Sequence, residues 1–226
     1  MRFRHVVALL VTLAACSLDT NDPNVEDTGR LLVVNGARNA GDVRIFIDGT
    51  YEGALPLGLV AQTIELTGPH TLEVRRGNND PGFVHSFTAV AGQTVAVVAF
   101  DSLGNLRPSV LTDTGAVVPA GATKLRVAHY AAAAGPIDIW RTQPDFATPT
   151  RTMFPFNYLD VTPYLQSTPG DWRILVSDTV PQATPNAPMP DTIGMSSLIN
   201  IPAGVSRTVV VVDALPSGVQ FVVLAP

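Results

Sequence analysis

Apolar residues along this chain come in short runs set off by turn formers. Val43-Arg44-Ile45-Phe46-Ile47-Asp48 alternates and stops at Gly49, and Thr71-Leu72-Glu73-Val74-Arg75 alternates into Arg76-Gly77. A period of two predicts strands with one face buried. Thr94–Phe100 and Thr208–Val212 are instead rich in β-branched residues, the second nearly continuous valine, and Val219–Leu224 closes the chain. No stretch holds a convincing helical period. Strand-length runs spaced by Gly, Pro, Asn and Asp predict an all-β fold of sandwich type.

The chain also resembles itself. Leu31-Leu32-Val33-Val34 corresponds to Leu125-Arg126-Val127-Ala128, and Val43-Arg44-Ile45-Phe46 to Ile137-Asp138-Ile139-Trp140, both at a shift of 94. Ala91–Asp101 corresponds to Ala203–Asp213 at a shift of 112, so 18 residues are inserted in the second copy. The expected places are Gln143–Phe156 and Pro181–Gly194, where Pro181, Pro185, Pro188 and Pro190 oppose regular structure. The repeat predicts two tandem immunoglobulin-like β-sandwich domains, residues 30–118 and 123–226, joined by a short hinge at Val118-Pro119-Ala120-Gly121.

The first sixteen residues are of another kind. Met1-Arg2-Phe3-Arg4-His5 precedes the apolar run Val6–Ala15, too short for a spanning helix and typical of a secretory signal. Leu13-Ala14-Ala15-Cys16 resembles a bacterial lipobox. That resemblance implies a lipoprotein signal peptide over 1–15, with Cys16 carrying a thioether-linked lipid. At about 0.8 kcal/mol per buried methylene, several acyl chains give a permanent membrane anchor. Ser17–Gly29, with Asp19, Asp22, Glu26 and Asp27, completes a solvated tether over 16–29. Ser17 is not the aspartate that retains some lipoproteins at the inner membrane, so the expected location is the outer membrane of a bacterial envelope.

Composition removes further classes. Hydrophobic residues are 46% of the 226 and charged ones 15%, which supports a core and argues against disorder. Loss of Arg2 and Arg4 with the signal takes the formal charge from −5 to −7, the wrong sign for nucleic acid. A single cysteine excludes a disulfide framework.

Leu125-Arg126-Val127-Ala128-His129 followed by Pro136-Ile137-Asp138-Ile139-Trp140 resembles the opening strand pair of the domain of unknown function 4397 family. Gly170–Val176 and Ala203–Val211 resemble two further strands of that family, and the first copy follows it with Asn35 in the place of His129. The resemblance implies a secreted or lipid-anchored β-module with no established activity. Ile47-Asp48-Gly49, Gly53, Pro56 and His70–Val74 also resemble a small non-catalytic extracytoplasmic β-domain.

Candidate chemistry is sparse. Neither H-E-x-x-H, G-x-S-x-G nor a P-loop occurs. His129 at a strand end is expected to bond backbone rather than metal, and no cofactor is expected. Asp101 and Asp213 occupy equivalent positions, which predicts a shared role in bonding turn amides rather than a catalytic pair. Gly77–Gly82 reads as a hairpin turn. Strand phase places Ile137 and Ile139 inward, with Asp138 and Trp140 outward, and Phe46 outward in the first copy. Phe46 and Trp140 are therefore the candidates for a sugar-stacking platform or an interdomain contact, the alternative being simple coverage by a neighbouring loop or by the partner domain. The expected function is a non-catalytic envelope lipoprotein, a binding or spacer module contacting polysaccharide or another envelope protein. The alternative is a carbohydrate-binding lipoprotein using exposed aromatics, with a hydrolase more distant.

Overall fold

The computed structural model describes residues 28–60, 63–77, 80–102, 104–113, 117–142, 150–179 and 191–225. The signal, Cys16, the tether up to residue 27, the tip of the 77–82 turn and the proline-rich 181–190 stretch lie outside them.

The first half contains eight strands: β1 Gly29–Asn35, β2 Val43–Ile47, β3 Thr50–Leu55, β4 Ile64–Leu66, β5 Gly68–Arg76, β6 Asp80–Ala89, β7 Thr94–Ser102 and β8 Asn105–Asp113. They form two four-stranded sheets, β4-β1-β7-β8 and β3-β2-β5-β6. The second half contains β9 Thr123–Tyr130, β10 Ile137–Thr142, β11 Thr150–Phe156, β12 Leu165–Ser167, β13 Gly170–Asp178, β14 Thr192–Met195, β15 Ile199–Ile201, β16 Ser206–Asp213 and β17 Val219–Leu224. Its sheets are β12-β9-β16-β17 and β11-β10-β13-β14, so the strand order of the first half recurs. In each half the opening strand runs parallel to a late valine-rich one, β1 with β7 and β9 with β16.

The expected insertions account for the differences. β14 and β15 pair with successive parts of β13, together covering the edge that β6 covers alone on β5. At the break between them, the Ser196 hydroxyl accepts from the Ile174 amide, replacing a lost ladder bond. The expected insertion segments Gln143–Phe156 and Pro181–Gly194 thus end in ordered strand, β11 and part of β14. Asp48 and Gly49 both take positive φ, 49° and 81°, which closes the β2–β3 hairpin on a turn that glycine tolerates and few other residues do.

Three apolar clusters hold the molecule. One lies between the two sheets of the first half, around Val43, Ile45, Leu72, Val74 and Val97. A second lies between those of the second half, around Ile137, Ile139, Ile174, Val176 and Val211. The third joins the halves: Leu32, Val34, Ala96, Val98, Phe100 and Leu111 meet Ala128, Tyr130, Val210, Val212, Val222 and Leu224. The central strands of the sheets β4-β1-β7-β8 and β12-β9-β16-β17, namely β1, β7, β9 and β16, are therefore covered on both faces. That explains why β1, β7 and β16 read as continuous apolar runs while β2 alternates. The Val118–Gly121 segment is a turn, closed by the Ala122 amide donating to the Pro119 carbonyl. The sheets on either side of this turn share the third apolar cluster.

Candidate functional site

Polar side chains that could support chemistry lie in two places. One is the β2–β3 turn, where His70 Nδ1 is 2.7 Å from the Asp48 carboxylate and Nε2 is 3.1 Å from the Thr67 carbonyl. The other is where the β1–β2 and β9–β10 loops leave their strands, and there they are occupied. Asn35 is fully buried. Its carbonyl accepts from the Ala37 amide at 3.0 Å, and its amide donates to the carbonyls of Gly41 and Leu55 at 2.9 Å. His129, 94 positions later, does the same work. Its Nδ1 accepts from the Ala131 amide at 3.3 Å, and its Nε2 donates to the Gly135 carbonyl at 2.8 Å. These partners require the neutral ring with the proton on Nε2. Burial holds the imidazole below its ordinary value of 6.5, against the Gly135 bond and the charges of Asp213 and Asp160.

The second pair is just as regular. Asp101 accepts from the Asn39 amide at 2.8 Å and pairs with Arg76. Asp213 accepts from the Ala133 amide at 3.1 Å, again 94 positions on, and faces Arg38 of the first half at 3.7 Å. Burial raises the Asp213 carboxyl above its ordinary range, opposed by amide bonds and by Arg38. Both aspartates bond loop amides, as their equivalence predicted.

A polar rim surrounds the apolar junction. Tyr158 donates to the Asp101 carbonyl at 2.7 Å, and burial with the nearby carboxylates pushes its hydroxyl up to about 12. Tyr130 donates to Ser109, and Arg38 donates to the Pro216 carbonyl at 2.8 Å. Phe100 lies against Tyr130 and Tyr158, with ring centres 5.7 and 6.3 Å apart.

Phe46 and Trp140 stand on the outer sheet faces, as strand phase predicted, but in different surroundings. Phe46 is half-buried and lies 5.3 Å from Tyr51, whose exposure is 48%. Arg75 sits over the Phe46 ring at 4.5 Å and Arg44 over Tyr51 at 4.6 Å, while Arg75 forms a forked pair with Glu73. Trp140 is only 6% exposed, and its indole N–H donates to the Ser177 hydroxyl at 2.9 Å. Of the two aromatics on outer faces, Trp140 is thus covered and Phe46 only in part. Strand phase fixes which side of a sheet a residue occupies, not whether that side meets water. Asp138, expected to face outward, is on that side but fully buried, paired with Arg151 at 2.5 Å. Among the described residues, the apolar cluster joining the halves contains neither Phe46 nor Trp140. Tyr51 was missed from sequence because a bulge beside it, between Ile45 and Phe46, breaks the simple count along β3.

Among the described residues there is no group of three or more His, Cys, Asp or Glu side chains placed to hold a metal ion, and no helix long and apolar enough to cross a membrane.

Comparison with curated proteins finds no match. Among solved structures, the TIE protein of Bacillus anthracis is similar at 10% identity and a TM-score of 0.27, over 87% of this chain and 35% of that one. This chain thus spans about a third of that protein. Family 41 carbohydrate-binding modules from streptococcal virulence factors, described for alpha-glucan recognition, are 12% identical at a TM-score of 0.28, covering 85% and 96% of the two chains. Scores this low transfer neither fold nor function. Residues 29–140, just under half of the chain, match DUF4397, a domain of unknown function, from β1 into β10.

Proposed function

We propose that this chain is a non-catalytic lipoprotein of the bacterial envelope, anchored through Cys16, built of two tandem immunoglobulin-like β-sandwiches and acting as a binding or spacer module. The observation that carries the reading is the use made of its polar groups. Asp101, Asp213 and His129 each bond loop backbone in a role with a counterpart in the other half, and the His70 ring is held between the Asp48 carboxylate and the Thr67 carbonyl. A general acid or base needs a proton-transfer partner in the substrate, and these groups direct their bonds to their own chain. The buried junction supports a spacer that holds its outer surfaces at a fixed separation. The test is recovery of partners from detergent-solubilised envelope with the lipidated protein, alongside a broad hydrolase screen. A turnover that disappears with His129→Asn or Asp213→Asn would end this reading.

A carbohydrate-binding role is the second reading, and the Phe46–Tyr51 pair favours it as an aromatic surface flanked by polar arginines. A glycan array with Tyr51→Ala as control distinguishes it from a spacer. Trp140 has no part in it.

A further inference from the structure

The two halves differ at one equivalent place, the side opening between the outermost strands of their sheets. In the first half, Ile45 of β2 pairs with Gly53 of β3; in the second, Ile139 of β10 pairs with Met153 of β11. Met153 packs against the core of the second half, and only about 20 Å³ of space remains beside it. Gly53 has φ of 144°, a backbone conformation that disfavours any side chain, and a Cβ there would meet nothing within 4 Å. The result is a cleft of about 550 Å³ between β3 and β4, within the usual range of about 300–1,000 Å³ for ligand sites.

The lining of this cleft describes its occupant. Ile45, Leu55 and Ile64 form an apolar floor, and Leu59, 52% exposed, stands at the mouth. Glu52 on β3 and Glu65 on β4 flank it, both exposed. Neither carboxylate has a hydrogen bond or ion pair with another described residue. β3 and β4 are the outermost strands of their sheets, each leaving one row of backbone groups unpaired by any described strand. An apolar slot beside open strand edges suits an extended chain, whose alternate side chains would enter the slot while its backbone extends a sheet. The two carboxylates select a basic one. The chain's own Ser17–Gly29 segment, with four acidic residues, has the wrong charge.

We propose that the β3–β4 cleft is a docking site for an extended peptide of alternating apolar and basic residues from a partner protein, the apolar residue filling the space that Met153 fills in the second half. This site is separate from the Phe46–Tyr51 surface, and either can fail without the other.

The test uses a fluorescein-labelled, end-blocked octapeptide of alternating lysine and valine, titrated onto the full chain. Saturable one-to-one binding is expected, with hydrogen-exchange protection confined to Thr50–Leu55 and Ile64–Leu66. Glu52→Lys combined with Glu65→Lys should weaken it at least tenfold with no change in melting temperature, since neither side chain has a partner among the described residues. Leu59→Asp should weaken it as a second, independent surface change. Glutamate–valine and lysine–glycine peptides should fail to bind. Equal binding of either control peptide, protection mapped elsewhere, or full affinity in the double variant would overturn the proposal. So would displacement by submicellar dodecyltrimethylammonium without any backbone protection from the peptide, because the site would then take small amphiphiles.

Discussion

Replacing His129 offers the sharpest test of the structural role assigned to the polar loop residues. His129→Ala removes the acceptor of the Ala131 amide, which is buried, and the donor to the Gly135 carbonyl, which water can partly reach. Leaving a buried amide unpaired costs about 1–3 kcal/mol. Loss of the ring beside Phe156 and Tyr158 adds a cavity, and the total reaches about 3–5 kcal/mol. His129→Asn should behave differently, because Asn35 already makes both bonds at the equivalent place. It should cost less than half as much. The pH dependence supplies a second readout. Burial lowers the folded-state pKa of His129 below 6.5, so the unfolded chain binds the proton more readily. The histidine's contribution is then complete above pH 6.5 and is lost as pH falls towards its folded value, by at most about 1.4 kcal/mol per unit. Asp213, raised by burial, works in the opposite sense but is common to both proteins, so the difference between wild type and His129→Asn isolates the histidine. Urea unfolding at pH 7.5 and 5.5 should show a penalty on acidification that His129→Asn abolishes. Equal costs for Ala and Asn, or identical pH slopes in wild type and Asn variant, would refute the reasoning.

Other expectations follow from the same contacts. Asp101→Ala and Asp213→Ala should each lower stability by about 1–3 kcal/mol through unpaired loop amides, measured by urea unfolding. Trp140→Ala should cost about 3–5 kcal/mol, as for other buried aromatics, and leave glycan binding untouched. Tyr51→Ala, losing an exposed ring and its arginine contact, should cost about 1 kcal/mol or less by the same measurement. Cys16→Ala should abolish incorporation of a fatty-acid probe in cells, and continued labelling would remove the lipid anchor from the proposal.

Much of this architecture is written in the chain at the level of side-chain period. Val219–Leu224 is a strand to the residue, and the 94-residue shift that aligns Asn35 with His129 also aligns the amides they bond. The junction between halves was legible in principle. Leu31–Val34 and Val209–Val212 do not alternate, and a strand apolar on both faces must be covered on both. Taking those runs simply as sandwich strands left their second face unexplained. Trp140 and Asp138 were beyond the reach of pattern, since strand phase does not say that Arg151 of β11 and Ser177 of β13 lie against them. The cleft at Gly53 could have been suspected only by comparing it with Met153, and the bulges in both hairpins displace that alignment.

Two halves with the same strand order meet through their valine-rich sheets in one apolar cluster. Both tryptophans, Trp140 and Trp172, lie in the second half, so their fluorescence reports that half alone. Phe100 belongs to the first half and is buried against Tyr130 and Tyr158 of the second. Urea unfolding of the full chain should give one transition, coincident by tryptophan fluorescence and far-ultraviolet circular dichroism. Phe100→Ala should destabilise the tryptophan-reported transition by about 3–5 kcal/mol. A tryptophan transition that ignores Phe100→Ala, while circular dichroism resolves a separate and earlier unfolding of the first half, would contradict the claim.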